Sequence, residues 1–77
     1  APAAIEGLSP PARHEEVEGL FQHWEETLIA VDFLQPERPG LVMRHLRRLF
    51  LRTGLEQREV HILRGVLTQT LRAVRRG

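Results

Sequence analysis

Residues 43–52 read Met-Arg-His-Leu-Arg-Arg-Leu-Phe-Leu-Arg, and the rest of the chain is organised around them. At 100° per residue, Arg44, Arg47 and Arg48 fall within one turn of each other and Arg52 lies one turn on. Val42, Leu46, Leu49 and Phe50 then line the opposite side. The spacing predicts a helix with one face for a core and one cationic face for a partner.

On either side, two more helical stripes appear. Val17, Leu20, Phe21, Trp24, Leu28 and Val31 recur at steps of 3, 1, 3, 4 and 3, which predicts a first helix running to about Asp32. Glu15, Glu16 and Glu18 stand at its start, where the helix dipole favours negative charge. Val60, Leu63, Leu67, Leu71 and Val74 mark a third helix from about Leu55 to Arg75. Between the first and second helices, Gln-Pro-Glu-Arg-Pro-Gly at 35–40 turns the chain, and Phe33 and Leu34 are expected to fold back onto the core. Between the second and third, Thr53, Gly54 and Glu56 fit a left-handed helix end followed by a capping box. Gly65, in mid-helix, costs about 1 kcal/mol relative to Ala and predicts close approach of another helix. No period of two occurs, so the expected fold is all-α: a small three-helix antiparallel bundle over residues 13–77. Residues 1–12, rich in Pro and Ala and starting without Met, are expected to be an extended or disordered linker in an excised fragment, joining it to a preceding domain.

At 77 residues, one small domain is the limit. It buries only about 60% of its unfolded surface, so a second copy is the expected source of extra core, and a homodimer follows. The absence of cysteine excludes disulfides and thiolate metal sites. No apolar run reaches the roughly 18 residues of a membrane span and no signal-peptide pattern opens the chain, so a cytoplasmic location without membrane contact is expected.

A net charge of +1 conceals two opposed halves. Residues 1–37 hold eight acids and one Arg, net −7; residues 38–77 hold ten Arg and two Glu, net +8. Every cation is Arg, a fork-shaped donor suited to phosphate, although genome composition equally yields a lysine-free chain. The arginines have two readings. They reach RNA phosphates, or they pair with Glu15, Glu18, Glu25 or Asp32 in an ion lattice.

Catalytic signals are missing. His14, His23, His45 and His61 lack metal-ligand spacing, adjacent Glu25 and Glu26 diverge by about 100°, and Ser9 is the only serine. No glycine-rich loop follows a strand. Phe21, Trp24, Phe33 and Phe50 fall on core-facing or core-flanking positions, which favours packing over base stacking. No catalytic or metal-binding residue is assigned.

Residues 15–67 resemble the C-terminal helical domain of the bacterial TrmJ family, in the SpoU branch of the knotted SPOUT methyltransferases. The resemblance rests on Glu-Glu-Val-Glu at 15–18 with Phe21, His23 and Glu25-Glu26-Thr27-Leu28; on Asp32-Phe33, Pro39-Gly40 and Val42-Met43; on Leu46-Arg47-Arg48-Leu49-Phe50 with Arg52; and on Glu59 with Ile62-Leu63-Arg64-Gly65-Val66-Leu67. It implies a parent enzyme that transfers methyl from S-adenosylmethionine to the ribose 2′-hydroxyl of a cytidine or uridine in the tRNA anticodon loop. The catalytic centre and its cofactor are implied to lie in a separate N-terminal domain. This domain is implied to bind tRNA and help join a dimer, with Arg47, Arg48, Arg52 and Arg64 as the matching RNA-binding candidates. Arg44 joins them on helix geometry alone. The alternative is a purely structural dimerisation module without RNA contact, in which each arginine is already neutralised by the acidic first helix within or across subunits; the tRNA-binding reading requires an arginine surface free of Glu.

Overall fold

A computed structural model describes residues 9–38 and 40–76. Residues 1–8, most of the expected linker, lie outside that range. The chain is all-α, as expected: α1 His14–Ala30, α2 Gly40–Thr53 and α3 Gln57–Arg76, with no strand among the described residues.

Helix α1 starts where the Arg13 amide, in extended conformation, donates to the Glu16 carboxylate at 2.8 Å. It ends at Ala30, two residues before the expected Asp32. Asp32 adopts the left-handed region (φ 64°), which its short polar side chain tolerates. The amides of Phe33 and Leu34 then both donate to the Leu28 carbonyl, at 2.9 and 3.0 Å, closing the helix end. This turn splits the expectation for the pair that follows. Leu34 is buried, whereas Phe33 is 67% exposed.

Helix α1 is the hub on which α2 and α3 pack, α3 more extensively; α2 and α3 do not pack on each other. The reason lies in two adjacent residues. Leu20 and Phe21 are the most deeply buried side chains, and neighbours on a helix point about 100° apart. Leu20 therefore enters a cluster with Val60 and Leu67 of α3. Phe21 enters another with Leu34 and Met43, flanked by Val42, Leu46 and Phe50. Trp24, one turn on, touches both clusters, and its ring centroid lies 6.0 Å from that of Phe50.

Only one half of the capping box expected at Thr53 forms, and it forms three residues later. Thr53 is still helical, and its hydroxyl donates back to the Leu49 carbonyl at 2.9 Å. Gly54 takes the left-handed conformation (φ 76°), and the Glu56 amide donates to the Glu59 carboxylate at 2.9 Å. Two further amides at the α3 N-terminus are satisfied from residues 9–10: Gln57 donates to the Pro10 carbonyl and Arg58 to the Ser9 hydroxyl, each at 2.9 Å. The Ala12 amide donates to the Leu55 carbonyl at 2.9 Å. Residues 9–12 are thus tied as an extended strip to the α2–α3 turn.

Gly65 is a correction. A Cβ built there meets nothing within 4 Å, so no other helix of this chain approaches it. The glycine at a close contact is Gly19, where a Cβ would lie 2.9 Å from Arg64 Nη1. Gly65→Ala is therefore expected to stabilise α3 by about 0.5–1 kcal/mol. Thermal unfolding should show a Tm rise of roughly 2–8 °C. A fall would mean that a partner occupies that surface.

Candidate nucleic-acid interface

On α2, the i, i+4, i+8 spacing sets Arg44, Arg48 and Arg52 in one row along the helix, about 6 Å apart along its axis. All three are exposed. Among the described residues, no carboxylate lies within 4.0 Å of any of them. Nothing acidic occupies the first turn of the helix.

Arg47, next to that row in sequence, behaves differently. Its Nη1 and Nη2 donate to the two Glu18 carboxylate oxygens at 2.7 and 2.8 Å, and its guanidinium lies 4.7 Å above the centre of the Phe21 ring. The hydrogen bond from Arg47 holds the Glu18 carboxyl below its usual range, and that same bond raises the guanidinium of Arg47. A fork-on-fork pair over an aromatic face pins α2 to α1 where the helix contact is slight. Arg47→Gln is expected to lower Tm by a few degrees, while Arg48→Gln leaves it unchanged. In a double-mutant cycle with Glu18→Gln, the second substitution should cost little once the first is made. Fully additive losses would mean that the pair contributes no coupling.

Arg64 stands apart from the α2 row. It projects from α3 against α1, with Nη1 over the backbone at Gly19. There it joins Arg72 and Arg75 along a groove between α1 and α3. Gln22, His23 and Glu26 form the α1 side. Arg75 Nη2 meets a Glu26 carboxylate oxygen at 3.0 Å. Burial, reinforced by nearby Arg64 and opposed by Glu26, pushes the His23 imidazole below its ordinary pKa. Its Nδ1 is buried without a hydrogen-bond partner, as is Trp24 Nε1. The 64, 68, 72, 75 spacing carried the signal for this face, but the groove depends on which face of α1 lies opposite.

The structure therefore brings three of the five candidate arginines into one row, places a fourth in a separate groove and uses the fifth as an ion pair. Among the described residues, no three His, Asp or Glu side chains gather as a metal site, and no helix is long and apolar enough to cross a membrane.

The sequence profile described as "tRNA methyltransferase TrmJ, C-terminal domain" matches residues 15–77. The chain is 44% identical to the tRNA (cytidine/uridine-2′-O-)-methyltransferase TrmJ of Klebsiella pneumoniae, over 84% of this chain and 30% of that protein. It is also 44% identical to the tRNA (cytidine/uridine/adenosine-2′-O-)-methyltransferase TrmJ of Pseudomonas aeruginosa, over 79% of this chain and 24% of that protein. With the TrmJ protein of Sodalis glossinidius the identity is 48%, over 70% of this chain and 21% of that protein. The chain thus spans less than a third of the length of these relatives. No solved structure matches it.

Proposed function

The chain belongs to the family of TrmJ C-terminal domains, and from that premise we propose that it is the tRNA-binding part of a cytoplasmic ribose 2′-O-methyltransferase acting on the anticodon loop. The observation that carries this reading is the row Arg44, Arg48 and Arg52, exposed and, among the described residues, without carboxylate partners. A module whose arginines are spent on acids of the same chain would leave no such row; arginines paired with acids of a second copy are the alternative that the binding and sedimentation measurements below distinguish. Here the first helix neutralises Arg47 and Arg75 and leaves Arg44, Arg48, Arg52 and Arg64 without carboxylate partners. Guanidinium groups on successive turns can meet successive phosphates with paired N–H donors.

Methyl transfer from S-adenosylmethionine is assigned to another segment of the parent enzyme. The groove between α1 and α3 carries three arginines on its α3 wall, which suits an anion better than the sulfonium cation of that cofactor. No step of the transfer is derived from this chain. A contribution to dimer assembly is part of the same proposal. It is supported by large apolar side chains left in solvent, among them Leu41 and Leu51 on α2 and Ile62 and Val66 on α3, each more than half exposed.

Fluorescence anisotropy with a whole tRNA and with its isolated anticodon stem-loop tests the reading. If the four unpaired candidate arginines each meet one phosphate, affinity should fall about 50- to 150-fold between 50 and 200 mM salt. No binding at low salt would overturn RNA binding and favour the assembly role. Sedimentation equilibrium of the same sample distinguishes one chain from two.

A further inference from the structure

We propose that the groove between α1 and α3 is a second phosphate track, which seats the sugar–phosphate backbone of the bound RNA. This rests on the tRNA-binding reading and extends it to a surface where the sequence singled out Arg64 alone.

The absence of a side chain at position 19 lets the Arg64 guanidinium approach the α1 backbone. Arg64 Nη1 sits 2.9 Å from the place where a Cβ at position 19 would be, so a residue other than glycine would push it away. Gly19 therefore sets where the first cation lies. Arg72 and Arg75 continue the same wall, and the three arginines span about 16 Å along α3. A lone phosphate is too small to engage all three, whereas a chain of phosphates can pass from one to the next. Thr68 stands between them on α3 and Gln22 faces them from α1, each with an uncharged donor.

The charge balance also favours an anion. Three guanidinium groups face one carboxylate, Glu26, which is committed to Arg75. A groove with low-dielectric walls and an excess of one sign focuses its field on an incoming counter-charge. A phosphate entering from the Arg64 end meets Arg64 and Arg72 first, and neither has a carboxylate within 4.0 Å among the described residues. Arg75 is released to RNA only if its bond to Glu26 opens.

Two variants test the track by tRNA anisotropy on this chain, with circular dichroism to verify folding. Gly19→Ala changes no charge and improves helix propensity, so it should keep or raise Tm while displacing Arg64. Its expected effect is a Kd about threefold weaker or more, the sign opposite to its effect on stability. The double substitution Arg64→Gln with Arg72→Gln should weaken binding at least about tenfold at 50 mM salt. It should also lower the salt slope by about 1.4–1.8, the share of two phosphate contacts. If both variants bind with the parent Kd and slope while loss of the α2 row abolishes binding, the track is wrong and the tRNA-binding reading stands. If the unmodified chain does not bind tRNA at low salt, both fall.

Discussion

Phe21→Ala is expected to unfold the chain at or near room temperature. The ring is 1% exposed, and it joins Leu34 of the turn and Met43 of α2 to α1. It also lies 6.3 Å from the Phe50 ring and carries the guanidinium of Arg47 above its face. Truncating a buried Phe costs about 3–5 kcal/mol, through lost transfer energy and the cavity left behind. Small domains have about 5 kcal/mol or little more to lose. At 4–8 °C per kcal/mol, Tm should drop by roughly 12–40 °C, or the cooperative transition should vanish. Phe33→Ala removes the same chemical group from a position that is 67% exposed, and it should change stability by less than about 0.5 kcal/mol. Equal melting curves for the two variants would show that the α1–α2 cluster is not the core that its burial implies.

Reversing the α2 row, Arg44→Glu with Arg48→Glu and Arg52→Glu, is expected to abolish tRNA binding at 50 mM salt, a loss of at least about 100-fold, with Tm nearly unchanged. Three phosphate contacts alone correspond to a salt slope of about 2–3, and the reversal replaces each attraction with a repulsion. The fold should survive because these side chains are exposed and hold no partner that would be left unpaired. Arg47 is excluded from this variant for a structural reason. A glutamate there would face Glu18, so lost binding could not be separated from a loosened α1–α2 contact. Binding retained by the triple variant would move the RNA off α2. A collapse of Tm would give the arginines a structural role instead.

The two expectations depend on information of different range. The assignment of Phe21 to the core and of Arg44, Arg48 and Arg52 to one solvent face followed from the 3.6-residue period, which is local. The helices formed where the period placed them, with ends displaced by one or two residues because the left-handed turn falls at Asp32 and because Thr53 stays within α2. Misplaced features were those that depend on what lies across a gap. Gly65 was expected at a close contact, yet Gly19 holds it, since a glycine signals possible proximity without naming the surface opposite. Phe33 has the apolar character of a core residue, but a single positive φ before it turns it outward. Ser9, assigned to a linker, supplies an acceptor to an amide 49 residues away.

The arginines divide along the same line. Sequence alone determined three amphipathic helices, an acidic first half, a basic second half and family membership, because each is written in residue order and spacing. Only the tertiary structure decided that Arg47 is paired with Glu18 while Arg44, Arg48 and Arg52 are unpaired, and that Arg64 shares a groove with Arg72 and Arg75. The physical reason is that α1 packs against both other helices, with Leu20 and Phe21 about 100° apart selecting which face meets which partner. That choice sets every distance between an acid of the first helix and a cation of the other two, and no period along the chain encodes it.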